Sequence, residues 1–204
     1  MNPSFHPWIN WSASLRETSR RTSEGPVESG PVAMNGSTPD RPAGSAGTRP
    51  LSASAQKVQD AIRARGFAYE VFELAVPVRT SADAAREAGC EVAQIAKSVI
   101  FRAADGRGVL VIASGANRVN EPAVAALIGQ AIGRANPDFV REVTGYSIGG
   151  IPPLGHATEM ITLVDEDLLK LDAVWAAAGH PNALFRLEPA ELPRLSGGRV
   201  ARVT

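Results

Sequence analysis

A break in composition near residue 50 constrains this chain more than any other feature. Residues 1–50 hold seven Pro, five Gly, eight Ser and four Thr, so 24 of the 50 positions disfavour regular structure. Only seven are Val, Ile, Leu, Phe or Trp, too few to bury a core. The stretch therefore reads as a disordered N-terminal tail. Phe5, Trp8, Ile9 and Trp11 form a small apolar cluster that is either a docking motif or incidental, and Met34 offers a later start. Whatever folds is built from 51–204, and a chain of that size buries roughly 68–70% of its unfolded surface, sufficient for one core.

Composition then excludes several classes. The whole chain carries 21 basic and 21 acidic side chains, and 51–204 alone carries 16 and 17. Binding nucleic acid by bulk electrostatics needs clustered cations and is not expected. One cysteine cannot make a disulfide framework or a Cys-based zinc finger. No apolar run approaches the length of a membrane span, and the N-terminus lacks the apolar centre of a secretory signal. A soluble, cytoplasmic protein is the expectation.

The periodicities predict a mixture of helices and strands. Ser52-Ala-Ser-Ala opens a helix with Val58, Ala61 and Ile62 on its apolar face and Gly66 at its end. Residues 67–74 alternate as a half-buried strand. Thr80 or Ser81 caps a short helix over 82–88, closed by Gly89. Strands at 98–101 and 109–113 flank Asp105-Gly-Arg-Gly, a hairpin signal. Helices follow after Asn120-Glu-Pro and over 137–143. Strands are expected at 160–164, 174–178, 183–187 and 199–203, with a last helix at 189–195. No regular βαβ rhythm or internal repeat is present. The predicted fold is α+β, a mixed, partly closed sheet or barrel flanked by helices.

Two segments stand out chemically. Lys97 interrupts Gln94-Ile-Ala-Lys-Ser-Val-Ile-Phe, with apolar neighbours on both sides, and is one of three lysines against thirteen arginines in 51–204. A buried, unpaired ammonium costs several kcal/mol, so this lysine either reaches water from a strand end or has a role in a site. Gly149-Gly-Ile-Pro-Pro-Leu-Gly-His156 combines glycines that let main-chain N–H groups face a ligand with prolines that stiffen the frame. It reads either as a main-chain oxyanion site or as a rigid surface loop. His156 is either a structural hydrogen-bonding residue or a base. Gly179-His-Pro-Asn is a second rigid turn. Asp83 reads as a first-turn carboxylate favouring the helix dipole, Cys90 as an inert thiol, and Asp165-Glu-Asp167 as a capped helix start rather than a metal cluster.

Taken in order, Thr80-Ser-Ala-Asp-Ala-Ala, the Lys97 segment, Gly145-Tyr-Ser-Ile-Gly-Gly-Ile-Pro-Pro-Leu-Gly-His156 and Leu187-Glu-Pro-Ala-Glu-Leu resemble the YbaK/prolyl-tRNA editing family of ProX-type aminoacyl-tRNA deacylases. The resemblance spans 51–204, and the tail has no counterpart in the family's compact core. It implies an enzyme that hydrolyses the ester of tRNA-Pro mischarged with Cys, Ala or a similar small residue, without metal or nucleotide cofactor. It implies catalytic roles for Lys97, Gly149 and Gly150, and substrate-binding roles for Ile151, Pro152, Pro153, Gly155, His156 and Gly179. The expected partners are the CCA end of aminoacyl-tRNA and, further, a prolyl-tRNA synthetase. The rival readings are a noncatalytic module that binds a tRNA end or a synthetase, and a small-molecule ester hydrolase using His156 as base.

Overall fold

The computed structural model describes residues 50–204; the proposed tail, with its apolar cluster and Met34, lies outside the described residues. Five α-helices and eight strands follow one another as α1 (Ala53–Ala64), β1 (Val71–Glu73), α2 (Ser81–Ala88), β2 (Ile95–Ala103), β3 (Gly108–Ser114), α3 (Glu121–Ile128), β4 (Ile132–Arg134), α4 (Pro137–Thr144), β5 (Ile161–Asp165), β6 (Val174–Ala177), β7 (Ala183–Leu187), α5 (Leu192–Ser196) and β8 (Arg199–Ala201). The helix starts follow from side-chain oxygens at the right place. Ser52, Thr80, Asn120 and Asn136 each accept a hydrogen bond from a first-turn N–H of the helix that follows.

The strands form one mixed sheet in the order β1-β7-β6-β2-β3-β5-β8, with β4 added against β2. The β2–β3 hairpin and the β6–β7 and β1–β7 pairs are antiparallel, while β2–β6, β3–β5 and β5–β8 are parallel. Among the described residues no pairing joins β1 to β8, so the mixed sheet expected from the sequence is present and open. β3 is buried along its whole length, as expected of a strand covered on both faces. One core packs α1, α4 and the 146–154 loop against the sheet through Val58, Ile62, Val140, Tyr146 and Leu154. A second gathers the alanines of α2 around Ile95, Trp175 and Leu184. The third sets Val124 of α3 against Phe101, Val111 and Leu163.

Three local expectations change. The strand expected over 67–74 shrinks to Val71–Glu73; at its start, Tyr69 O and Val71 N bond the side chain of Gln59 in α1 instead of a neighbouring strand. The last helix begins as a 3-10 turn, Pro189–Glu191, before α5. Strand β4 has no counterpart in the sequence reading: its three residues are half-buried or exposed and carry no alternation to read.

Candidate active site

Strand β2 is paired along one edge by β3, but its other edge is shared between two partners. β6 takes Ile95 and Ala96 there, and β4 takes Phe101, Arg102 and Ala103. Residues 97–100 thus have no strand partner on that side, and the peptide groups that do not face β3 face an opening. Two depressions meet at it, and Lys97 lines both. The smaller, of about 180 Å³, has an apolar wall that includes Val78, Ala84, Ile95, Ile151, Ala177 and Leu184, with Thr80, Ser81, Ser98 and Gly149 around it. The larger, of about 420 Å³, is open and is lined by Val99, Val119, Arg118, Glu121 and Arg134.

Lys97 neither lies buried without partners nor reaches freely into water. Its Nζ donates to Gly115 O at 3.2 Å and to Asn117 O. That loop is held by a fully buried carboxylate: Asp165 accepts from Ser114 N (3.1 Å), Asn117 Nδ2 (2.9 Å) and Asp167 N (3.2 Å). Desolvation pulls the Lys97 pKa below its ordinary value, and the charge of Asp165 opposes that shift. An ammonium has three donors; two are spent on the loop, and one remains for the opening. Asp165 therefore anchors the lysine's acceptors, as well as capping the 3-10 turn Glu166–Lys170. Among the described residues no three His, Cys, Asp or Glu side chains group as metal ligands.

The glycine-proline loop divides into a part that faces the pocket and a part that braces it. Gly149 is exposed, lines the pocket and sits at φ +98°, a region that L side chains rarely adopt. Among the described residues its N–H has no hydrogen-bond partner. Gly150 is different. Its N–H donates to Ser147 O at 3.2 Å and its carbonyl accepts from Gly179 N at 2.8 Å, so its N–H is occupied by a turn. A Cβ on Gly150 would lie 2.7 Å from three backbone atoms of His180. Gly179 is buried, packed against Ser54 O of α1. Ile151 reaches the pocket, while Pro152, Pro153 and Leu154 are buried behind it.

Gly155 and His156 are not brought to Lys97. They line a separate cleft with Arg65, Thr158 and Ser196. His156 Nε2 donates to Pro152 O at 2.8 Å, and Tyr146 Oη donates to Gly155 O at 3.1 Å. Burial holds the imidazole below its usual pKa of 6.5. His156 braces the loop. Asp83 closes a reciprocal capping box with Thr80, and burial pushes the Cys90 thiol up to about 11.

Sequence reading missed the other half of the site. Thr80 and Ser81, at the start of α2, were legible as a helix cap and as part of a family motif but with no role in a site, yet they border the pocket. Asn117 had no signal of its own. Ser98 Oγ is sealed from solvent without a hydrogen-bond partner, an uncommon state for a native hydroxyl.

This arrangement has relatives. The family model of the aminoacyl-tRNA editing domain matches residues 75–195, more than half of the chain. A crystal structure described as a candidate trans-editing enzyme for prolyl tRNA synthetase is 45% identical, with TM-score 0.73, covering 76% of this chain and 99% of that one. The hypothetical protein APE2540 is 33% identical with TM-score 0.68, covering 72% and 98%. The uncharacterized protein YwhH of Bacillus subtilis (strain 168) is 30% identical over 131 residues, 64% of this chain and 83% of its own. The matched span holds the Lys97 strand, the α2 cap and the whole of the glycine-proline loop, and by it the chain belongs to the aminoacyl-tRNA editing domain family.

Proposed function

We propose that the chain is a trans-editing hydrolase that removes Cys, Ala or a similar small amino acid from mischarged tRNA, with tRNA-Pro as the first candidate. One observation carries the reading: Lys97 and Gly149, about fifty residues apart in sequence, wall the same small pocket with Ile151. A pocket of about 180 Å³ lined by Val, Ala, Ile and Leu suits a small, weakly polar side chain and rejects a bulky one by steric exclusion.

In this reading the aminoacyl group enters between Ile151 and Leu184. The free N–H of Gly149 donates to the ester carbonyl as negative charge develops on it. Lys97, fixed by two carbonyls, supplies a positive charge beside the same atom. A pre-positioned donor of this kind is commonly worth ~2.7–4 kcal/mol in the transition state. Water, held by the neighbouring ribose hydroxyl, attacks the acyl carbon, the C–O bond to the ribose breaks, and the leaving ribose oxygen takes up the proton that the water gives up. An aminoacyl ester is already activated, so positioning and charge do most of the work.

The reading of His156 as the base of a small-ester hydrolase has little support, since the imidazole lies in another cleft and its Nε2 is bound to Pro152 O. The noncatalytic module stays as the rival. Deacylation of a panel of mischarged tRNAs, with correctly charged ones as controls, tests the proposal. Selective release of a small amino acid supports it. Tight tRNA binding without release from any member of the panel would establish the binding module instead.

A further inference from the structure

Among the described residues, one buried side-chain oxygen or nitrogen lacks a hydrogen-bond partner: Ser98 Oγ. Other buried hydroxyls are satisfied. Ser114 Oγ donates to Ala93 O at 2.8 Å. Thr144 Oγ1 donates to Val140 O at 2.7 Å and accepts from Tyr146 N at 3.0 Å. A buried hydroxyl without a partner opposes folding. Alanine, which β2 carries two positions earlier on the same face at Ala96, would avoid that loss.

Ser98 is half-buried and lies opposite Ile112 of β3. It stands between Ala96 and Ile100, two members of the core that also holds Ile151. It lines the small pocket next to Lys97, where the apolar wall of Val78, Ala84, Ile95, Ile151 and Leu184 offers no polar side-chain atom. Two other polar groups of the lining are committed elsewhere. Thr80 Oγ1 donates to Asp83 Oδ2 at 2.8 Å, and the Lys97 ammonium is tied to the 115–117 loop.

Resting on the editing function proposed above, we propose that Ser98 is a specificity-determining residue, whose hydroxyl turns about χ1 into the pocket and pairs with the tip of the substrate's side chain. Turning breaks no hydrogen bond, because Oγ has none to lose. A serine hydroxyl both donates and accepts, so it pairs with a hydroxyl or a thiol in either sense. A methyl tip leaves it unsatisfied. The substrate class narrows to small amino acids ending in oxygen or sulfur, serine and cysteine ahead of alanine. Selectivity and stability then oppose each other at this one position.

The test charges tRNA-Pro in turn with serine, cysteine, alanine and 2-aminobutyrate. The last separates polarity from size, since it puts a methyl where serine has its hydroxyl. Single-turnover deacylation and urea unfolding are measured on the full chain as wild type, Ser98→Ala and Ser81→Ala, because Ser81 also lines the pocket. The wild type should release serine faster than 2-aminobutyrate, and Ser98→Ala should cut that ratio by about tenfold. The ratio of alanine to 2-aminobutyrate release should hold. The urea midpoint of Ser98→Ala should equal or exceed that of the wild type. An unchanged serine ratio in Ser98→Ala overturns the proposal, and so does an equal collapse of that ratio in Ser81→Ala. A lowered urea midpoint in Ser98→Ala also overturns it, by revealing a partner for the hydroxyl in the folded chain. If the wild type releases none of the four, the editing function for this tRNA falls and the selection with it; release with an unchanged ratio removes the selection alone.

Discussion

Lys97 holds its ammonium with two main-chain carbonyls and leaves one donor over. Lys97→Ala removes both the charge and the tie to the 115–117 loop. Single-turnover deacylation should fall by about 10²–10³, the range for losing one electrostatic donor. Lys97→Arg should rescue poorly, because a planar guanidinium cannot take the place of a compact ammonium between two carbonyls. Near-normal rates in the folded alanine variant would remove Lys97 from the chemistry. The two adjacent glycines should separate. Gly150→Ala drives a Cβ into the His180 backbone, and overpacking of this kind costs ~1–3 kcal/mol, so melting should fall by several degrees. Gly149→Ala meets only an ordinary contact with Pro181 at 3.7 Å, but φ +98° strains any L side chain; it should lose some stability too, and more activity than Gly150→Ala. Equal deacylation rates for the two folded variants would contradict this division. The sequence signalled the glycines as a pair, since spacing cannot say which of two neighbours faces a ligand and which packs on a distant turn.

At the level of elements, the start of α2 serves two ends. Thr80 accepts from Asp83 N at 3.1 Å and Asp83 accepts in return from Thr80 N at 3.2 Å. The same turn is part of the pocket wall through Thr80, Ser81 and Ala84. Thr80→Ala should cost about 1 kcal/mol in urea unfolding, as cap losses do. It should also raise KM more than it lowers kcat, because the wall shifts and Lys97 stays. A stability loss with unaltered kinetics would make Thr80 a cap alone. A cap at Thr80 or Ser81 was legible from the hydroxyls before an alanine-rich run, whereas the bond that Asp83 returns to Thr80 N was not, since a first-turn carboxylate suits the helix dipole equally. The cap's position beside Lys97 was not legible either, because the contact is made by tertiary packing of α2 on β2. β4 escaped for a related reason: three residues held by pairing with β2 leave no period to detect.

For the molecule as a whole, His156 links loop integrity to acidity. Burial depresses its pKa in the folded state, so the unfolded chain binds a proton more readily. Stability then rises with pH wherever the unfolded state carries more protons. The contribution is unchanged above the unfolded value of about 6.5 and is lost as pH falls below it toward the depressed folded value. Urea midpoints measured from pH 7.5 to 5 should fall for the wild type and be flatter for His156→Gln. Parallel curves would show that His156 titrates alike in both states. The arrangement of strands has a different consequence. Unpaired sheet edges recruit other chains, and natural proteins keep them short or place lysine on them. The unpaired stretch of β2 is only residues 97–100, bounded by β6 and β4 and headed by Lys97. A foreign strand has no room to dock there, so this stretch of β2 can present main-chain groups to a ligand without itself offering a template for β-aggregation.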